Sequence, residues 1–196
     1  MNFPLELRFK LFALAPQIYV LDAAGNEVFY IKQKLFKLRE VINVYADHHQ
    51  AQLVATIRAD RVLDFSAGYL IEDAEGRALG TIRRQGVRSL WRATYDLVDE
   101  AGEADGSITE ENPFVKVLDG MLSEIPVVGV LSNYLFQPKY VLKDRAGTPM
   151  LRLHKRASLV DRRFSVEELS PAASQHHTRR NVLGLLMLVL LERDRS

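Results

Sequence analysis

Apolar and polar positions divide the chain into many short alternating stretches and one terminal run that is apolar on every face. The run is Val182 to Leu191, guarded by Arg179 and Arg180 before it and by Glu192, Arg193, Asp194 and Arg195 after it. As a helix it spans roughly 15 Å, about half of a hydrocarbon core, too short to cross a bilayer. A helix that is hydrophobic all round must be enclosed by protein. The rest of the chain is therefore expected to wrap around a central helix over 178–193.

The alternating stretches share a phrase. Y-x-x-x-D-x-x-G occurs at Tyr69, Asp73 and Gly76, at Tyr95, Asp99 and Gly102, and at Tyr140, Asp144 and Gly147; Asp22 and Gly25 form a further copy in which Ile18 replaces the tyrosine. Asp opens a type I turn by bonding the backbone that follows it, and Gly three residues on accepts the left-handed conformation of a bulged hairpin. Each copy reads as a β-hairpin. β-Branched and aromatic residues cluster in the flanks, at Ile18 to Leu21, Val28 to Ile31, Tyr69 to Ile71 and Tyr140 to Leu142.

Further strands are expected at Leu5 to Leu14, Leu38 to Tyr45, Leu53 to Arg58, Arg61 to Phe65 and Leu159 to Val166. About twelve strands with short connections close into a barrel or stack as a sandwich. The helix discriminates between them, because a sandwich core is only about 10 Å thick whereas a wide barrel has a lumen to fill. The expected fold is mainly β: a closed antiparallel barrel of about twelve strands around a central hydrophobic C-terminal helix, in one domain over 1–196. One stretch departs from the pattern. Asn112 is a suitable N-cap and Pro113 a suitable first helical residue, and Phe114, Val117, Leu118, Met121 and Leu122 then fall at helical spacing until Pro126. Residues 112–138 thus read as an insertion with a short amphipathic helix, followed by an apolar segment, Val127 to Phe136, that fits a strand, a turn or a covering loop.

Composition narrows the chemistry. With 196 residues, 47% hydrophobic and 26% charged, the chain has ordinary globular proportions. It has no cysteine, which excludes disulfides, thiolate catalysis, Cys-ligated zinc and palmitoylation. Met1 to Phe12 carries Arg8 and Lys10 among apolar residues and lacks the layout of a secretory signal, so a cytoplasmic protein, peripheral to a membrane at most, is expected.

Several residues are familiar as a set: Tyr30-Ile-Lys-Gln-Lys-Leu-Phe-Lys-Leu-Arg39 after the Asp22-Ala-Ala-Gly25 turn, and Ser89-Leu-Trp91 before Tyr95. Together with the hairpin phrase and the terminal helix, they resemble the LURP-one-related proteins, which group with phospholipid scramblases and the tubby C-terminal domain. The resemblance covers most of the chain and implies a barrel of twelve strands around a hydrophobic helix; 112–138 departs from it. Tubby domains bind phosphoinositides, and scramblases act on lipids. The scramblase features of a Pro-rich N-terminus and palmitoylated cysteines are missing here, and Asp99 to Glu110 lacks the sixth-position Gly of a calcium loop.

The net charge of +1 conceals a pattern. In an up-and-down meander, successive turns fall at alternate ends. One end then receives Asp22, Glu27, Asp47, Glu72, Asp73, Glu75, Asp99, Glu100, Glu103, Asp105, Asp144, Glu167 and Glu168, against Arg77 and Arg145. The other receives Lys32, Lys34, Lys37, Arg39, Arg58, Arg61, Arg83, Arg84, Arg88, Arg92, Lys139, Lys155 and Arg156, with Glu40 and Asp60 nearby. Charged residues also end strands simply to stay solvated and protect edges, which explains charge but not its sorting by sign, and strand tilt would scatter them around the wall. A basic rim suits an anionic membrane surface, at about 1 kcal/mol per cation near the leaflet. Nucleic acid is not expected, since no stacking series or readout motif accompanies the charge.

No catalytic constellation is found. His48 and His49 share a turn, His176 and His177 a polar loop, and His154 a strand; no H-E-x-x-H, G-x-S-x-G, P-loop or dinucleotide-binding phrase occurs. Asp161 with Arg162 and Arg163 reads as exposed strand. The expectation is a non-enzymatic protein without metal or cofactor that binds membrane phospholipid or phosphoinositide headgroups through Lys32, Lys34, Lys37, Arg83, Arg84, Arg88, Lys155 and Arg156. The alternatives are a protein-interaction or homodimer scaffold using Phe114, Val117, Met121 and Leu122 in the 113–136 segment and, by kinship alone, a scramblase-like lipid activity.

Overall fold

The fold was read from a computed structural model that describes residues 1–10, 17–32, 41–60, 68–85, 94–111, 139–156, 162–171 and 177–193. Among the described residues, twelve strands precede one helix: β1 (Leu5–Lys10), β2 (Gln17–Leu21), β3 (Glu27–Lys32), β4 (Ile42–Tyr45), β5 (Leu53–Asp60), β6 (Gly68–Asp73), β7 (Ala78–Arg84), β8 (Thr94–Val98), β9 (Ala104–Glu110), β10 (Lys139–Asp144), β11 (Pro149–Arg156), β12 (Arg162–Glu168) and α1 (Thr178–Arg193). Each strand pairs antiparallel with its sequence neighbours and β1 closes on β12, a closed up-and-down barrel. The strand expected at Arg61 to Phe65 and the insertion at 112–138 lie outside the described residues.

The four copies of the phrase form the turns their chemistry demands. Gly25, Gly76, Gly102 and Gly147 have φ between +81° and +86°, and each amide donates to the carbonyl of the Asp three residues earlier. The Asp carboxylates accept from the backbone beyond, Asp22 from Ala24 and Asn26 at 2.9 and 3.0 Å, and Asp99 from Ala101 and Glu103 at 2.9 and 2.8 Å. A register shift on the preceding strand accompanies every copy. The tyrosine has its own part: Tyr69, Tyr95 and Tyr140 belong to the buried core and lie a strand's length from the Asp, at the opposite end of the lumen. The phrase therefore encodes one strand and one turn together.

Alternation builds the wall, as in β1, where Leu5, Leu7 and Phe9 are buried and Glu6, Arg8 and Lys10 face outward. The inward residues meet α1, whose Val182, Leu183 and Leu185 to Leu190 are each at most 5% exposed. At Gly184 the helix approaches the wall so closely that a Cβ lies 3.4 Å from both Ile82 Cδ1 and Leu97 Cδ2. The lumen is thus filled by packed side chains, and the apolar run takes the enclosed position its composition requires.

Candidate functional site

The meander puts the five hairpin turns after β2, β4, β6, β8 and β10 at one end of the barrel, where α1 also enters: Arg180, near its start, pairs with Asp105 on β9. The strand ends joined by the other six connections share the opposite end. The strand termini differ in sign between the two. At the connection end, Lys10, Lys32, Arg84, Lys139, Arg156 and Arg162 terminate six of the twelve strands, against Asp60 and Glu110. At the hairpin end, Glu27, Asp73, Asp144 and Glu168 are terminal and no strand ends in a cation. The two cations in the hairpins there are held by acids, Arg77 on Asp73 at 2.7 Å and on Glu75 at 3.1 Å, and Arg145 near Glu103 at 3.8 Å. Burial tends to raise the Asp73 carboxyl, but the amide and guanidinium of Arg77 outweigh it and hold the group below its ordinary range.

The expected basic residues divide by face. Lys32 and Arg156 are exposed at strand ends, and Arg83 is half-buried on the outer side of β7 beside Asp96 of β8. Arg84 and Lys155 occupy inward register positions, because Ile82 and Leu153 two residues earlier belong to the core. They stand at the lumen mouth with Tyr69, Tyr95, Glu110 and Tyr140. Lys34, Lys37 and Arg88 lie outside the described residues, as do Phe114, Val117, Met121 and Leu122. Lys10 and Arg162 join the rim through the topology; composition gave no reason to select them.

Two assignments to the ends need correction. Arg58 and Glu72, placed at opposite ends by sequence position, form an ion pair on the outer wall, with Thr56 also on Glu72 at 3.4 Å. Register explains it: Glu72 lies across from Thr56, and Arg58 is two residues further along the same face. A groove of about 640 Å³ over β9 to β11 includes Thr109, Glu111, Lys143 and Arg152. Its arginine is offset by Glu111 at 2.9 Å and Glu167 at 3.9 Å, so the groove holds no uncompensated cation from Arg152.

His48 and His49 sit in the β4–β5 turn with rings 4.0 Å apart, and His48 Nδ1 is 2.9 Å from a Glu27 carboxylate oxygen. Among the described residues no three His, Asp or Glu side chains are placed to hold a metal ion, and no helix is long and apolar enough to cross a membrane.

No protein-family model and no curated protein matches the chain. A solved X-ray structure of an Arabidopsis thaliana protein is similar to it at 12% identity and a TM-score of 0.49, over 96% of this chain and 92% of that one.

Proposed function

We propose that the chain is a non-enzymatic barrel that binds the anionic headgroups of membrane phospholipids through its connection end. The observation that supports this reading is the sorting of strand-terminal charge, six cations against two acids at one end and four acids against no cation at the other. Solvation of strand ends accounts for charge at either end but not for this separation by sign. Half a dozen cations on one rim, each contributing on the order of 1 kcal/mol near an anionic leaflet, suffice for salt-sensitive association. On the residues quoted above, we also assign the chain to the LURP-one-related proteins; a twelve-strand barrel closed around an apolar helix supports that assignment.

Charge reversal tests the reading. Lys32→Glu, Lys139→Glu and Arg156→Glu together replace three exposed rim cations without touching the core. The triple variant is expected to lose co-sedimentation with phosphatidylserine vesicles at low salt, and the native chain to lose it as salt rises. Undiminished binding by the triple variant excludes the basic end as the contact surface.

A further inference from the structure

Register across six neighbouring strands aligns six outward side chains that are far apart in sequence. Tyr45 on β4 lies opposite Tyr30 on β3, Tyr30 opposite Tyr19 on β2, Tyr19 opposite Arg8 on β1, Arg8 opposite Arg163 on β12, and Arg163 opposite Arg156 on β11. The result is a transverse row of three tyrosines followed by three arginines. Lys10 adds a further cation beside it, its Nζ 4.6 Å from the centre of the Tyr19 ring.

The arginine half breaks a rule that the wall obeys elsewhere. Directly opposed side chains on one face have Cβ atoms about 4.5 to 5.5 Å apart, where opposite charges stabilise and like charges destabilise. Arg152 faces Glu167 across β11 and β12, and Arg58 meets Glu72 across β5 and β6. Arg8, Arg163 and Arg156 face one another. Glu6 serves two of them, Arg8 at 2.9 and 3.1 Å and Arg163 at 3.6 Å. Its carboxyl is held below the ordinary range, first by the Arg8 hydrogen bonds and then, against burial, by the fields of Arg8, Arg163 and Arg156. Arg156 is exposed and has no ion pair among the described residues. Guanidinium forks match phosphate oxygens bidentately, and a phosphomonoester brings nearly two negative charges and three acceptors to one point.

We propose that Arg8, Arg163 and Arg156 form a phosphomonoester site on the outer wall beside the basic rim. The proposal rests on the reading that this end of the barrel faces an anion, and it specifies the chemistry of that anion: a terminal phosphate, in preference to a carboxylate or a phosphodiester. The dianion joins the Glu6 carboxylate among three neighbouring guanidiniums, of which Arg156 is the most exposed. Lys10, drawn over Tyr19, marks one edge of the site.

The test uses the full chain, vesicles of phosphatidylcholine doped with phosphatidic acid or, at matched surface charge, with phosphatidylserine, and free inorganic pyrophosphate. Phosphatidic acid vesicles are expected to bind roughly tenfold more tightly than phosphatidylserine vesicles. Arg8→Gln with Arg163→Gln, neither of them among the six rim cations, should remove that preference while leaving most phosphatidylserine binding, and Arg163→Lys should keep the charge and lose the preference. Pyrophosphate should raise the NMR titration midpoint of His154, which shares the outer face of β11 with Arg156 and Arg152 and lies near Lys139 and Glu167. Pyrophosphate binding without a phosphatidic acid preference identifies a soluble phosphate compound as the ligand. Equal binding to both vesicles with no response to pyrophosphate overturns the phosphate site and leaves the basic rim standing; no binding to any of the three overturns both.

Discussion

The stem of Arg180 passes over Gly80 where the central helix enters the barrel: a Cβ on Gly80 lies 2.8 Å from Arg180 Cδ and collides with the Val98 carbonyl. Gly80 also has φ of +136°, a conformation that side-chain-bearing residues rarely adopt. Two independent constraints thus fall on one residue. Gly80→Ala should cost about 2 to 3 kcal/mol, through backbone strain and displacement of the Arg180 stem. Gly76→Ala, in the open hairpin next to it, meets nothing within 4 Å and bears only the left-handed penalty, about 1 kcal/mol. Denaturant midpoints of the two variants in the reverse order would contradict the account.

Arg180 itself is 2% exposed and pairs with Asp105, whose side chain is 32% exposed; Nε and Nη2 also donate to Asn181 Oδ1 at 3.3 and 3.0 Å. The asymmetry in exposure predicts an asymmetry in mutation. Asp105→Ala leaves a buried guanidinium without its counter-charge and should cost about 3 kcal/mol, whereas Arg180→Met leaves a carboxylate that water reaches and should cost about 1 kcal/mol. Urea melts of both single variants measure the difference. Equal losses would mean that water reaches Arg180 as readily as Asp105.

Where a residue chemically dictates its own neighbourhood, the sequence was readable. Asp followed three residues later by Gly produced four hairpins, and a run without a polar face produced an enclosed helix. The turn holding Asp47, His48 and His49 was legible without a copy of the phrase, because Gln50 instead of Gly takes the positive φ there, +59°, with its amide on the Asp47 carbonyl at 3.2 Å. The charge separation was readable because turn order alternates between ends in a meander. Face parity within each strand was neglected: Ile82 and Leu153 point inward, so Arg84 and Lys155 do too, and only Arg83 and Arg156 of those pairs reach the outer wall. The row from Tyr45 to Arg156 lay beyond reach, since it depends on the register between β1 and β12, which no local pattern encodes.

Enclosure of the helix predicts opposite results at neighbouring positions. Leu186 is fully buried, so Leu186→Ala should cost about 3 kcal/mol and Leu186→Asp, with an unpaired carboxylate in the core, should fail to fold. Gly184 is different: its Cβ makes ordinary contact with two flexible side-chain carbons, and Ala gains about 1 kcal/mol of helix propensity over Gly. Gly184→Ala is expected to be neutral or mildly stabilising by thermal melting. A loss above about 2 kcal/mol there would place the helix tighter against the wall than the contacts allow.

Acid should weaken the fold in two separable stages. Burial is the main cause that lowers His154 below its ordinary value of 6.5; Glu167 opposes the shift, while Lys139, Arg156 and Arg152 reinforce it. The unfolded chain therefore takes up this proton first as pH falls, and stability, full above 6.5, declines from there to the lower folded value and then levels. Asp22, held down by the Asn26 amide, and Asp73, held down by Arg77 against burial, have folded values below the ordinary 3.8. Their contribution is present above 3.8 and disappears as pH falls through those folded values, which gives the second stage. His154→Gln should abolish the part of the first decline that belongs to this ring and leave the second intact, whereas Asp73→Asn should leave the first intact and remove only its own share of the second. Denaturation midpoints from pH 8 to pH 3 for the three proteins resolve the stages, and an unchanged first decline in His154→Gln would show that this histidine is as easily protonated in the barrel as in the unfolded chain.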